Sequence, residues 1–320
     1  SFSEDERWMG LGIDPTNDYV FRLAFGDPAN SDLLIHLLNA ILELASPIVE
    51  VEILNPFIEQ EFETDKLAIL DIKAKDSDGR LLNVEMQKSV TSALRERLVY
   101  YAACLCSGQL FEGDEYADLC PTIGICILSS LMFPQVPAGH LTFTLSNLQH
   151  GIQFTEHFQI HTVELPKYTA GASECQIGAS LEKWAWLFQR AEELDAEQLR
   201  SVLPEVPYQK MIGILEMISK TPNQRHIYDS QQRAARDRAW ELKAVELEIQ
   251  AARREGLATG QRIGREEGRE EGMQIGQIRI LEQLLNDHPT ADELLASLTL
   301  SELHERVSLL KDRLNRRGNS

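Results

Sequence analysis

With 320 residues, 43% of them hydrophobic, the chain is long for one domain and can bury one substantial core with something appended. Fifty acidic residues against 31 basic ones give a formal charge of −19. That balance speaks against broad sequence-independent binding to nucleic acid, so any DNA contact has to come from a local basic patch or from metal ions. No stretch approaches the roughly 18 consecutive apolar residues of a membrane helix. The opening Ser1-Phe2-Ser3-Glu4-Asp5-Glu6 does not read as a signal peptide. Five cysteines, an odd number with no Cys-x-x-Cys pair, read as reduced thiols. The expectation is a cytoplasmic protein that makes no membrane contact.

Residues 1–13 are acidic and aperiodic and read as a flexible leader. A helix is expected to start at Asp14-Pro15-Thr16-Asn17-Asp18, capped by Thr16 or Asn17. A second helix runs from about Ser31, with Leu34, Leu37, Leu38, Ile41 and Leu42 on one face. Then the period changes. Val49, Val51 and Ile53 alternate with polar residues as in a half-buried strand, and Leu67–Lys75 reads as a second strand. Asp76-Ser77-Asp78-Gly79-Arg80 is a hairpin turn, and Leu81–Gln87 returns as the third strand. A helix over about 92–110 should turn Leu94, Leu98, Tyr101, Ala102 and Leu105 inward. Thr122–Leu128 is a nearly all-apolar run and fits a strand buried on both faces. Two further strand-like segments lie near 140–145 and 153–163.

This order predicts an α/β fold, a mixed sheet flanked by helices over residues 14–168. An all-α region should follow. It comprises a helical connector over 169–222, a long charged helix over 223–286 and short helices over 287–320. Inside the long helix, Gly256, Gly260, Gly264, Gly268, Gly272 and Gly276 recur every four residues. Six interior glycines cost a helix about 5–6 kcal/mol relative to alanine. A four-residue spacing drifts only about 40° per step and keeps small residues on one side. The row is either a seam for self-association, which makes the chain a homo-oligomer, or part of a charged low-complexity tether.

Phosphodiester hydrolysis needs a metal-activated water and a group that stabilises the leaving oxyanion. Magnesium favours carboxylate oxygens. Asp71 interrupts an apolar strand, and Glu85 follows fourteen residues on, beyond the Asp-Gly turn. Pairing about that turn sets the two nearly opposite, with Cβ atoms about 4.5–5.5 Å apart. Gln87 projects from the same face as Glu85. By spacing alone the two carboxylates fit a metal centre. They fit also, and more commonly, a solvated face, or pairs with Lys73, Lys88 or Arg95.

The segment Asn17-Asp18-Tyr19-Val20-Phe21-Arg22-Leu23-Ala24-Phe25-Gly26 resembles the opening motif of the recombination-promoting nuclease family, transposase-type members of the PD-(D/E)-x-K superfamily. The likeness continues through Asp65-Lys66, Ile69-Leu70-Asp71-Ile72-Lys73-Ala74 and Asn83-Val84-Glu85-Met86-Gln87 to Glu164-Leu165-Pro166-Lys167. It implies a restriction-endonuclease-like fold and Mg²⁺- or Mn²⁺-dependent cleavage of DNA. It makes Asp71 and Glu85 metal ligands, with the Met86 main-chain carbonyl a third. Gln87 stands where the superfamily carries lysine. Asp18 becomes a supporting acid near the metal, Asp65 and Lys66 bound the cleft, and Arg97 and Tyr100 face the DNA backbone, a core position being equally open to Tyr100. The alternative is a catalytically weak nuclease-fold module that binds DNA or protein and oligomerises through its C-terminal helix.

Overall fold

The computed structural model describes residues 10–55, 72–168 and 178–318. Two compact units divide the chain, Ser1–Ala235 and Arg236–Ser320.

The first unit opens with α1 (Asp18–Phe25), capped by the Asn17 side chain, which accepts from the Tyr19 amide. Helix α2 (Ser31–Leu42) follows and ends on Glu43 in the left-handed region. A mixed sheet is then laid down. Its first strands are β1 (Val51–Ile53), β2 (Ile72–Asp76) and β3 (Leu81–Gln87). Helix α3 (Leu94–Ser107) leads to β4 (Thr122–Leu128) and β5 (His140–Thr144). A small hairpin of β6 (Ser146–Asn147) and β7 (Ile152–Gln153) precedes β8 (Phe158–Glu164). The six-stranded order is β1-β2-β3-β4-β8-β5. β3 pairs antiparallel with β2 and parallel with β4, and β4 pairs parallel with β8. The expected restriction-endonuclease-like mixed sheet flanked by helices is therefore present.

The β2–β3 turn forms as its Asp-Gly signal predicts. Gly79 takes φ +84°, and buried Asp76 accepts from the Asp78 and Arg80 amides and from Arg80 Nε at 2.5 Å. That turn sets the register Ile72↔Val84 and Lys73↔Asn83. Successive side chains of β3 then go to opposite faces. Leu82, Val84 and Met86 join the larger core, with Ile72, Ala74, Ile123, Ile125 and Ile127. On the other face, Leu94, Leu98 and Ala102 of α3 pack on Cys126, Leu128 and Ile160.

The larger core extends well beyond the sheet. Helices α4 (Ser180–Arg190), α5 (Ala196–Val202) and α6 (Val206–Lys220) supply Trp184, Phe188, Leu199, Met211 and Leu215 to it. Trp184 donates to His36 Nδ1 on α2 at 3.0 Å and packs edge-on against Phe25 and Tyr208. The range expected as a connector thus carries part of the core packed on the sheet. Residues 10–13, expected in a leader, are packed too. Leu11 and Ile13 are buried, and the Leu11 amide donates to the Leu194 carbonyl. Gly10 lies so close to the Glu193 carbonyl that a Cβ would sit 2.3 Å from it.

The 64-residue helix α7 (Pro222–Leu285) starts with Ile227 and Tyr228 in that core and continues into the second unit. There its last turns pack Ile278, Leu281 and Leu285 against α8 (Asp292–Ala296) and α9 (Leu300–Gly318) through Leu295, Leu303 and Val307. Glu282 is buried among them and accepts from the Thr290 amide at 3.1 Å. No helix among the described residues is long and apolar enough to cross a membrane.

Candidate active site

The site is set by the pleat of β3. Asn83, Glu85 and Gln87 share one face, the face that α3 covers. Glu85 is 1% exposed and lies opposite Cys126 of β4. Burying a carboxylate this far demands charge or hydrogen-bond compensation. Asn83 Nδ2 donates to its Oε1 at 3.3 Å, and Gln87 Nε2 to its Oε2 at 3.4 Å. From α3, Arg97 Nη2 stands 3.8 Å from Oε2. Two neighbouring polar atoms, Asn83 Oδ1 and Arg97 Nε, are buried with no hydrogen-bond partner among the described residues.

The N-terminus of α1 is drawn toward the same strand. Asp14 forms an ion pair with Lys88 at 2.6 Å, and its amide donates to the Tyr228 hydroxyl at 2.9 Å. This ties the segment before Asp18 to the residue after Gln87. Asp18, the first residue of α1, is half-buried. Arg22, one turn on, donates to the Asn55 carbonyl, and the Asn55 side chain accepts from the Lys73 amide at 2.6 Å. Met86 sends its side chain into the core on the opposite face. Asp65, Lys66 and Asp71 lie outside the described residues. Among the described residues, no group of three or more His, Cys, Asp or Glu side chains is placed to hold a metal ion.

Arg97 and Glu85 are thus brought together, while Tyr100 is 64% exposed, its ring 5.9 Å from that of Tyr101 and tilted against it. A core position for Tyr100 does not occur. Tyr101, expected inward, is 37% exposed, because helix α3 turns only Leu94, Leu98 and Ala102 fully into the sheet. Asn83 was not singled out in the sequence. The signal was there: it is polar and two residues from Glu85 in an otherwise apolar strand, hence on the same face.

A second buried carboxylate has a different set of partners. Glu164, at the end of β8, is fully buried. It accepts from the Met132 amide at 3.0 Å and the Phe133 amide at 3.3 Å, and Lys167 lies 3.0 Å away. Its partners come from one loop and the turn after its own strand, which it clamps together.

The sequence pattern of the PD-(D/E)XK nuclease family transposases matches residues 15–245. The chain belongs to that family. The match spans the mixed sheet, the helices that complete its core and the first turns of α7, so the fold and the family agree on where the nuclease module lies. No curated protein and no solved structure matches the chain.

Proposed function

We propose that this nuclease-family chain is a metal-dependent DNA endonuclease, with Mg²⁺ or Mn²⁺ as its cofactor. The observation that carries this is Glu85, a buried carboxylate on a central strand of the nuclease sheet, ringed by two amides and an arginine. The β2–β3 register pairs Ile72 with Val84. By the hairpin spacing of the sequence, Asp71 is the partner of Glu85, and the two are the hard-oxygen ligands magnesium prefers. The donor set fits such an ion: Glu85, Asp71 and the Met86 carbonyl are all oxygen ligands. When bound, the ion would supply Lewis acidity and an activated water.

The chain's own residues have distinct tasks. Glu85 holds negative charge where the cation is needed. Gln87, hydrogen-bonded to it, orients that carboxylate and can hold a water, but brings no charge. Arg97 supplies the positive charge that Gln87 lacks, and an arginine fork suits a phosphate better than a single ammonium does. Asp18 supports the centre from α1, Asp65 and Lys66 bound the cleft, and Tyr100 contacts the backbone from its exposed position. Incubation of the full chain with supercoiled plasmid and Mg²⁺ or Mn²⁺ tests this. Wild type nicks the plasmid; Asp71→Asn and Glu85→Gln do not. Nicking by all three proteins alike removes the proposed centre.

The neutral Gln87 and the charge of −19 favour a second reading, a nuclease-fold module that binds DNA or protein without useful catalysis. Plasmid retardation with no nicking in any metal would select it.

We also propose that the chain forms a homo-oligomer through α7. Its six glycines are exposed, and a Cβ at any of them would meet nothing within 4 Å. With successive residues about 100° apart, the row Gly264–Gly268 lies between Arg265–Arg269 on one side and Glu267–Glu271 on the other. Two copies side by side in parallel would set arginines against glutamates, whereas antiparallel copies would set like charges together. Light scattering of the full chain and of Gly264→Leu/Gly268→Leu tests the seam; an unchanged mass removes it.

A further inference from the structure

The same sheet face carries a groove that the proposed chemistry does not use. It has a volume of about 470 Å³ and lies between the sheet and α3. Lys73, Leu81 and Asn83 line it from the strands, and Tyr101, Cys104 and Leu105 from the helix. One of these, Asn83, is hydrogen-bonded to Glu85.

We propose that this groove receives a single unpaired nucleobase, that of the nucleotide whose phosphate lies at Glu85. The proposal rests on the nuclease reading above. Its size falls within the range of small-ligand sites. The lining has an aromatic ring, Tyr101, whose partial exposure leaves it available for stacking. Stacking on such a ring is tolerant of base identity. Leucines 81 and 105 supply the apolar remainder. In a chain of net charge −19, the described residues that line the groove include one cation, Lys73, and no carboxylate. Lys73 is exposed and lies opposite Asn83 in the strand register, where it suits a phosphodiester oxygen.

Asn83 adds the polar recognition. It is 4% exposed, and its amide NH₂ is committed to Glu85, which as a carboxylate can only accept. Its Oδ1 is buried with no partner among the described residues. A donor on the Watson–Crick edge of an unpaired base, the exocyclic amine of adenine, cytosine or guanine or the N3–H of thymine, satisfies that acceptor. The spacing also fits. Asn83 and Glu85 are two residues apart on one strand, about 6.6 Å, a separation that one nucleotide spans from phosphate to base. A base pair is too wide for a groove between a helix and a sheet, so the base must leave the stack. The site therefore favours bulged, frayed or single-stranded DNA over continuous duplex.

The test uses the full chain with calcium as the divalent ion and two short duplexes, one fully paired and one carrying a single unpaired 2-aminopurine. Anisotropy reads affinity, and 2-aminopurine emission reads the base's surroundings. Wild type should bind the bulged DNA tighter, on the order of tenfold from one stacked base, with emission quenched on binding. Leu105→Trp, which fills the groove, should abolish the preference while paired DNA binds as before. Cys104→Phe narrows the groove from an exposed position and should do the same, which keeps the test intact should the first variant not fold. Equal wild-type affinity for both duplexes overturns the groove assignment and leaves the nuclease reading standing. A preference that survives in the filled variants also overturns it, by placing the base elsewhere. Binding of neither DNA overturns the nuclease reading itself.

Discussion

The two faces of β3 are both buried, yet they differ in kind. One carries Leu82, Val84 and Met86 into a core shared with α1, α2, α4 and α6. The other carries Asn83, Glu85 and Gln87 beneath a single helix, α3, where a groove remains open. The apolar face is satisfied by packing alone. The polar face holds a carboxylate, two amides and an arginine in a place where water is scarce, an arrangement that stability alone does not call for. The difference separates scaffold from candidate site within seven residues of one strand.

The largest effect should come from the polar face. Glu85→Gln should lower plasmid nicking by about 10³-fold, a loss typical of removing a charge-stabilising group from an active site. Thermal unfolding should change little. A variant that loses activity only in proportion to its lost stability would make Glu85 structural. The apolar face should respond in the opposite way. Leu82→Ala should cost about 2–5 kcal/mol in denaturant unfolding through the cavity it opens, with activity of the folded fraction retained.

Glu164 sharpens the contrast, since it is as buried as Glu85 and serves the fold. Glu164→Gln should destabilise by about 3 kcal/mol, the cost of breaking a buried, hydrogen-bonded ion pair. It should leave the nicking rate per folded molecule unchanged. A selective loss of activity would show that burial and partner type do not distinguish the two carboxylates.

The pH dependence of stability should come partly from β8. His161 stacks on His140 with their ring nitrogens 2.9 Å apart, and Thr142 and Gln159 complete its surroundings. Burial, and secondarily the positive charge His140 can carry, push its pKa down to about 4. The folded state therefore binds fewer protons than the unfolded chain between pH 6.5 and about 4. The stability is fully present above pH 6.5 and is lost as pH falls toward 4, on the order of 3 kcal/mol across that window. Urea midpoints at pH 7, 5.5 and 4.5 should fall more steeply in wild type than in His161→Gln. Parallel slopes would remove the histidine from the account.

The smallest effect belongs to α7. Gly264→Ala should raise the local stability of the exposed helix by about 1 kcal/mol in hydrogen exchange if nothing covers the row. A loss of stability would instead mark the glycines as a contact that a methyl group disturbs.

Much of this was legible in the residues. The alternation of β3, the Asp-Gly turn that sets its register and the apolar run of β4 are local signals, and each formed where the pattern placed it. The glycine row and the long helix were equally plain, because proline is absent from residues 223–286 and charge is dense there. The face of α3 was read less well. Tyr101 has helical spacing with Leu94 and Leu98, but a helix lying across a sheet buries only the stripe it touches, and Tyr101 falls at its edge beside the groove. The packed residues 10–13 carry no periodic signal, since their burial depends on a backbone pairing with residues 192–194 that no short window contains.

What the sequence by itself determined, then, is the period of each segment and the presence of a carboxylate with polar neighbours at two-residue spacing. Those depend on contacts a few residues long. Only the tertiary structure decided that Arg97 arrives at Glu85, that Asn83 opens onto a groove and that helices as far as Tyr228 complete the sheet's core. These depend on elements far apart in the chain meeting across a sheet, and it is the packing of apolar faces over that distance, not local propensity, that brings them together.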